Sequence, residues 1–264
     1  MEIALDRWHE PFRHGENKLT PGASLLTHYT DLGGIWYRPV DHDADLILPV
    51  DKALTRCGVR QHEGRWDFGE GLDLADPVEW CLRGRGSTLT YDRQCPCHGD
   101  LHVANVFVLP DNSPRLIDFG RTGMGHVFRD FAAIEASIRL TCTDASDRSA
   151  LMAAEDRISS GHSLGDFINY REVTGGCDLK EAVRATMQIR RAALDAHGEP
   201  DGGRALLEYL FAVTIHMLRY ATGVADEIDS DNGDRNDLMT FHALYAAAKS
   251  ADAAEARAKS LGVP

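Results

Sequence analysis

The chain has 264 residues, 43% hydrophobic and 26% charged, a composition typical of a soluble globular protein large enough to bury a core. Its net charge of −13 disfavours nucleic-acid and membrane partners, because nucleic acids and anionic lipids carry charge of the same sign. Six scattered cysteines, a start without a signal-peptide pattern and a longest apolar stretch too short for a bilayer predict a cytoplasmic protein.

The first part of the chain is predicted to contain few regular elements. The opening 45 residues are rich in His, Pro, Gly and Asp, and Gly34 to Val40 is one stretch there with strand character. Pro49 to Cys57 predicts a short helix that ends at a glycine. Asp76 followed by Pro77 predicts the start of a second helix, because aspartate caps a first turn and proline fits its first position.

A hairpin is predicted in the middle of the chain. Asn105 to Leu109 is typical of a strand, and Asp111 to Pro114 is typical of a turn. Arg115 to Phe119 then predicts a second strand, which would return beside the first. Acidic and amide side chains would therefore stand at the edges of this hairpin and face one cleft.

The rest of the chain is predicted to be helical. Apolar residues recur at helical spacing from Val127 to Ile138. Asp178 predicts the N-cap of another helix, and His197-Gly198 predicts its end. Leu206 to Tyr220 is apolar nearly all round, which indicates a central buried helix, and Leu238 to Ala248 indicates a last amphipathic helix.

Three polar residues around the hairpin have the spacing that phosphoryl transfer from ATP requires. They belong to the run His98-Gly99-Asp100-Leu101-His102-Val103-Ala104-Asn105 and to Ile117-Asp118-Phe119-Gly120. One carboxylate, Asp100, would orient the attacking hydroxyl, while the Asn105 amide oxygen and the Asp118 carboxylate would hold Mg²⁺. The alternative is an ordinary hairpin with scattered acidic residues.

This pattern, H-x-D-L-x-x-x-N followed by D-F-G, resembles the C-terminal lobe of the protein-kinase-like fold. Within that fold, His98-Gly99-Asp100 resembles the catalytic loop of the aminoglycoside phosphotransferase and choline kinase branch, where glycine replaces the usual arginine. The resemblance implies that Asp100 is the catalytic base, that Asn105 and Asp118 bind the magnesium of Mg-ATP, and that His98 is structural. It also implies that Asp130, at the start of the next helix, holds the loop backbone.

The same resemblance predicts a small-molecule acceptor. Asp130 is only 12 positions after Asp118, and the longer activation segment of protein kinases has no room there. His102 also stands where Ser/Thr kinases usually carry a lysine. Both departures disfavour a peptide substrate and favour the hydroxyl of a small molecule.

A nucleotide-binding N-terminal lobe is not recognisable before the hairpin. Lys18 and Lys52 are the only lysines there, and Lys52 lies too close to His98 for a phosphate-binding lysine on an N-lobe strand. We therefore expect a mainly α fold with a small β-hairpin (α+β), a kinase-like C-lobe with its N-lobe largely or wholly missing. Residues 1–94 would be a hinge-side remnant with early helices, 95–130 the catalytic and metal-loop hairpin, and 131–264 a helical bundle.

A non-catalytic reading remains open beside this one. The chain would then be a regulatory or interaction module, or a C-lobe that needs an N-lobe from another chain or from an upstream segment. Cys95 and Cys97 are a candidate zinc site, but two reduced cysteines are the favoured interpretation. Asp229 to Asp234 resembles a calcium loop but does not fit its ligand positions, so an acidic loop is expected there. His126 is expected in a loop and His216 in the core.

Overall fold

A computed structural model describes residues 18–31, 44–143, 147–161, 164–166, 176–198, 203–226 and 233–263. The fold is mainly α, with small antiparallel sheets, as the sequence predicts. In chain order the helices are α1 (Leu25–Asp31), α2 (Ala44–Cys57), α3 (Pro77–Leu82), α4 (Arg129–Thr141), α5 (Arg148–Ser159), α6 (Cys177–His197), α7 (Arg204–Asp226) and α8 (Gly233–Leu261). Short 3₁₀ turns cover Arg85–Thr88, Val103–Asn105 and Phe119–Arg121.

The described strands form three small antiparallel sheets. They are β1 (Lys18–Ser24), β2 (Arg60–His62), β3 (Arg65–Asp67), β4 (Asp73–Ala75), β5 (Thr90–Cys97), β6 (Val106–Val108), β7 (Pro114–Leu116) and β8 (Gly123–His126). The sheets have the orders β1-β5-β8, β2-β3-β4 and β6-β7. In the first sheet Gln94 lies opposite His126 and Cys97 opposite Gly123, so β5 and β8 both end beside the segment that begins at His98.

Helix α7 lies at the centre of the helical part. Its side chains from Ala205 to Leu218 are buried on all sides, which confirms the central helix predicted from its apolar sequence. It packs most extensively against α8 and also contacts α4 and α2. The main hydrophobic core runs from Leu25 to Ala258, so the three segments proposed from the sequence share one core.

Several local predictions are confirmed. The helix expected at Pro49 to Cys57 forms, although it begins earlier, at Ala44. Asp76 accepts hydrogen bonds from Val78 N and Glu79 N at the start of α3. Gly198 ends α6 in the left-handed conformation. The predicted hairpin forms as β6 and β7, with each strand shorter than expected.

Other local predictions need correction. The N-cap of α6 is Gly176, and Asp178 stands in the first turn, because the helix starts two residues earlier than its acidic residue suggested. Lys52, by contrast, needs no correction: it lies on the exposed side of helix α2, within the predicted helix, and not on a strand. The strand expected at Gly34 to Val40 lies outside the described residues, and the acidic loop at Asp229 to Asp234 lies largely outside them.

A cluster of buried charged and polar side chains joins five helices, α4 to α8. Arg139 of α4 donates to Glu135 at 2.7 Å and to Glu155 of α5, and Arg190 of α6 donates to Glu135 at 2.9 Å. Tyr209 of α7 donates to Glu135, and His242 of α8 donates to Glu155. Burial alone raises the pKa of Glu155, but the Arg139 guanidinium and the His242 hydrogen bond outweigh this and lower it to about 2.

Candidate functional site

Strand β5 leads into the candidate loop, which begins at His98. The buried carboxylate of Asp130 holds the start of that loop in place. Asp130, fully buried at the first turn of α4, accepts hydrogen bonds from His98 N at 2.6 Å and from Gly99 N at 3.0 Å. An ionised acceptor makes these bonds stronger than bonds between neutral groups. The contact is the one that the resemblance implies for Asp130.

His98 ties the loop to the second strand of the hairpin. Its buried ring donates from Nε2 to the carbonyl oxygen of Ile117 at 2.7 Å and packs against the ring of Phe119 at 4.9 Å between centroids. The side chain therefore faces the backbone next to Asp118. This geometry suits a supporting residue, the role that the sequence analysis gives it.

Asn105 links the loop to the hairpin from the other side. Its Nδ2 donates to the backbone oxygen of Asp100 at 2.9 Å, and its backbone oxygen accepts from Ile117 N at 3.1 Å. Because Nδ2 is the donor, Oδ1 is the atom of this amide that could bind a metal ion. These bonds connect the backbones of Asp100, Asn105 and the residue before Asp118.

Asp118 has an unusual backbone. Its φ of 61° and ψ of 64° lie in the left-handed region, which costs free energy for any residue with a Cβ and which Asp tolerates better than most. The residue is exposed. Strain of this kind tends to collect at functional sites, so the conformation supports a function for Asp118.

Asp100 lies between two arginines. Arg121 Nε is 3.8 Å from Oδ2 of Asp100, and Arg219 Nη2 of α7 is 3.7 Å from Oδ1. The Asp100 side chain is partly buried, so solvent screens these two pairs less than it would on an open surface. The two guanidiniums attract this carboxylate from both sides and help to orient it, as a proton acceptor requires.

A cavity of about 450 Å³ opens beside Asp100. The loop from Gly99 to Ala104 forms one wall, and residues of α4, α7 and α8 form the others. Helix α7 contributes His216, Arg219 and Tyr220 to the lining of the cavity; Arg219 is three positions after His216, and Tyr220 follows it directly. Asp118 and Asn105 are not among its lining residues, so the candidate metal ligands lie outside this cavity.

Sequence reasoning did not assign Arg121, Arg219 or Tyr220 to the site. Arg219 and His216 interrupt an otherwise apolar helix at helical spacing, and this interruption is the signal that could have marked them. His126 ends strand β8 and is fully buried, which corrects its expected position in a loop: Tyr29 donates to its Nδ1 at 3.1 Å. His216 is in the core, as expected.

The two cysteines before the loop are buried in the core. Cys95 and Cys97 are free and buried on β5, with their sulfur atoms 3.9 Å apart. The Cys97 thiol donates to backbone carbonyls, and the ring of His98 is engaged at Ile117. The thiols therefore act as small core side chains.

The fold and the site together define a mainly helical α+β domain whose strand-held loop places a carboxylate beside a cavity. Residues 24–220 match the family model described as ternary complex associated domain 9. Because the match covers most of the chain, the chain belongs to the ternary complex associated domain 9 family. No curated protein and no solved structure matches it. Within the described part of the chain, no helix is both long and apolar enough to cross a membrane.

Proposed function

We propose that the protein is a phosphotransferase that moves the terminal phosphoryl group of ATP to the hydroxyl of a small molecule. The observation that carries the proposal is the set of bonds around the loop. Asp130 fixes its start, His98 ties it to the backbone next to Asp118, and Asn105 ties it to Asp100. Three residues that such chemistry needs are thereby attached to one rigid frame.

Each residue of this frame has a role in the proposed reaction. Asp100 would take the proton of the acceptor hydroxyl as its oxygen bonds to the γ-phosphorus, while the bond to the β-phosphate oxygen breaks and ADP leaves. Oδ1 of Asn105 and the exposed carboxylate of Asp118 would hold Mg²⁺. When bound, that ion neutralises charge on the phosphates.

The segment after Asp118 supports a small acceptor. A 3₁₀ turn, Phe119–Arg121, leads directly into β8, and α4 starts three residues after β8 ends. This short connection has no room for a long peptide-docking segment. The cavity beside Asp100 instead has the volume of a small-molecule site.

Removal of the acidic groups tests this proposal. We expect Asp100→Asn and Asp118→Ala each to lower the rate of Mg-ATP-dependent phosphotransfer at least ~100-fold, with unchanged far-UV circular dichroism, because a positioned base alone contributes about that factor. Asp195→Asn, on the exposed face of α6, is the matched control and should keep its full rate. A near-normal rate in either site variant would show that the role given to that residue is wrong.

A second candidate function is a docking module that works with a nucleotide-binding lobe on another polypeptide. One observation favours it. Among the described residues, most of the large exposed hydrophobic side chains lie between positions 107 and 124 and form what we call the hairpin patch: Phe107, Val108, Ile117, Phe119 and Met124. Phe107 is 54% and Val108 69% exposed. Exposed apolar side chains concentrated in one part of the chain are typical of an interaction site.

The position of the hairpin patch argues for this partner in particular. The patch includes Ile117 and Phe119, which flank Asp118, so a polypeptide seated there would lie next to the proposed nucleotide site. The family description names a ternary complex, which agrees with a function in an assembly.

Calorimetry with Mg-ATP separates the two candidates. Micromolar binding by the isolated chain supports the phosphotransferase acting alone, whereas no detectable heat supports a docking module. As a control, Phe107→Ser with Val108→Ser should leave the melting temperature unchanged, because neither side chain is packed in the core.

A further inference from the structure

The cavity beside Asp100 does not share the acidic excess of the whole chain. Among the described residues that line it, Asp100 is the one acidic side chain, and Arg219 faces it at 3.7 Å. Arg121 adds a second guanidinium 3.8 Å from the same carboxylate. The described lining therefore carries one carboxylate and one guanidinium, with Arg121 outside the lining, in a chain whose net charge is −13. The Arg219 guanidinium is thus available to attract an anionic group of a ligand.

His216 adds a hydrogen-bond acceptor to this cavity. The side chain lines the cavity and is 5% exposed, and its Nε2 has no hydrogen-bond partner within the described part of the chain. The ring also bonds the backbone of Arg129 in a way that favours its protonated form, so the ring N–H donates there to a carbonyl. The remaining nitrogen, Nε2, then carries a lone pair.

The protonation state of His216 agrees with this assignment. Burial, followed by the nearby Arg219 and Arg129, lowers the pKa of His216 to about 3. The ring is therefore neutral at neutral pH, and its single proton is on the nitrogen that faces Arg129. A buried acceptor without a partner costs free energy, and a ligand hydroxyl would satisfy it.

Tyr220 adds a donor. Its hydroxyl accepts from Ser137, whose Oγ in turn accepts from Val103 N at 3.1 Å. Burial raises the pKa of Tyr220, so the phenol keeps its proton. That proton and the Arg219 guanidinium are the donors that this wall of the cavity offers to a ligand.

We propose that the cavity binds a small hydroxylated anion, with a carboxylate or phosphate held by Arg219 and Tyr220 and hydroxyl groups facing Asp100 and His216. The identification of this anion as the phosphoryl acceptor rests on the proposed function. The binding itself does not, because no nucleotide takes part in it.

Calorimetry on the full chain without nucleotide tests the binding. The probes are D-glycerate, glucose 6-phosphate and inorganic phosphate, with neutral glucose and cationic glucosamine for comparison. We expect D-glycerate or glucose 6-phosphate to bind with a dissociation constant below ~1 mM, and glucosamine not to bind. Which of the two binds better identifies the anionic group as carboxylate or phosphate.

Variants assign the contacts. Arg219→Gln should weaken anion binding at least about tenfold and Arg219→Lys should restore part of it, because the bond involves a charged group. His216→Leu should weaken hydroxylated anions while leaving inorganic phosphate unchanged. Arg191→Gln, an exposed arginine on α6, is the matched control and should bind as the wild type does. Melting temperatures show that each variant is folded.

The outcomes separate this inference from the proposed function. Anion binding that Arg219→Gln removes, without any phosphotransfer, supports the inference and counts against the phosphotransferase. Phosphotransfer to glucosamine or glucose with no anion binding overturns the inference and leaves the phosphotransferase in place. Binding of neither D-glycerate nor glucose 6-phosphate, or equal binding by Arg219→Gln, also overturns it.

Discussion

At position 99 the backbone adopts a φ of +84°, which L side chains rarely adopt, and the position is buried. A Cβ there would lie 2.1 Å from the carbonyl oxygen of Arg121, far inside van der Waals contact. Arg129 also donates to the backbone oxygen of Gly99 at 2.9 Å. The loop can therefore approach the turn after Asp118 only because this residue has no side chain.

We expect Gly99→Ala to lower the free energy of unfolding by about 2–4 kcal/mol, since a left-handed backbone and an overpacked contact are both penalised. Urea unfolding followed by circular dichroism measures the change. Gly123→Ala is the matched control, because φ is ordinary there and the added Cβ meets nothing within 4 Å. Equal stabilities for the two variants would contradict this account of position 99.

A site residue could be predicted from the sequence where it belongs to a local pattern of residues, and not where only the fold brings it to the site. The loop and hairpin residues follow a fixed local spacing, so Asp100, Asn105 and Asp118 could be selected from the sequence. Their catalytic and metal-binding roles stay predictions. Arg219 reaches Asp100 from a helix more than a hundred positions away, and no local pattern encodes that approach.

The elements of the helical part are joined by the buried ion cluster. Glu135, Arg139, Glu155 and Arg190 come from three helices, α4, α5 and α6, and every one of these side chains is almost fully buried. Burying charges is costly unless each of them is paired. Here each carboxylate accepts from at least one guanidinium, so the cluster depends on all of its members.

Loss of one member of the buried ion cluster should therefore lower the free energy of unfolding substantially. We expect Arg139→Met to destabilise the fold by about 3–5 kcal/mol, because Glu155 and Glu135 would lose a buried partner. Arg184→Met is the matched control on α6: its pair with Glu181 is exposed, and its removal should leave the urea midpoint unchanged. A similar midpoint for both variants would show that the cluster adds no stability.

Helices and strands differ in how well the sequence predicts them. Helices α4 and α7 could be placed from the sequence. In α4, apolar residues recur at helical spacing over several turns, and α7 is apolar nearly all round. The hairpin β6-β7 was placed as well, but the other two sheets were not, since β2, β3 and β4 are three residues each and β8 reads Gly-Met-Gly-His, which has no alternation of apolar residues. Helix α5 was missed, although Asp147 caps it by accepting from Ala150 N.

On the scale of the whole molecule, buried histidines make stability depend on pH. His28 accepts from His126 N through Nε2 and contacts Tyr91 through Nδ1. Burial, followed by His126 and Arg129, lowers the pKa of His28 to about 3, and burial lowers that of His216 to about 3 as well. In the unfolded chain both would titrate near 6.5. Below that pH the unfolded state binds more protons than the folded state, so stability falls as pH falls.

We therefore expect acid to destabilise the protein well before its carboxylates titrate. Each of the two histidines contributes up to ~1.4 kcal/mol per pH unit, so stability should drop by about 2–3 kcal/mol per unit below pH ~6. Glu155, with a pKa lowered to about 2, adds a further loss only below pH ~4.5. Urea midpoints between pH 7 and 5 measure the slope. His28→Gln should reduce that slope and the exposed His62→Gln should leave it unchanged, whereas a flat wild-type profile over this range would contradict neutral buried histidines.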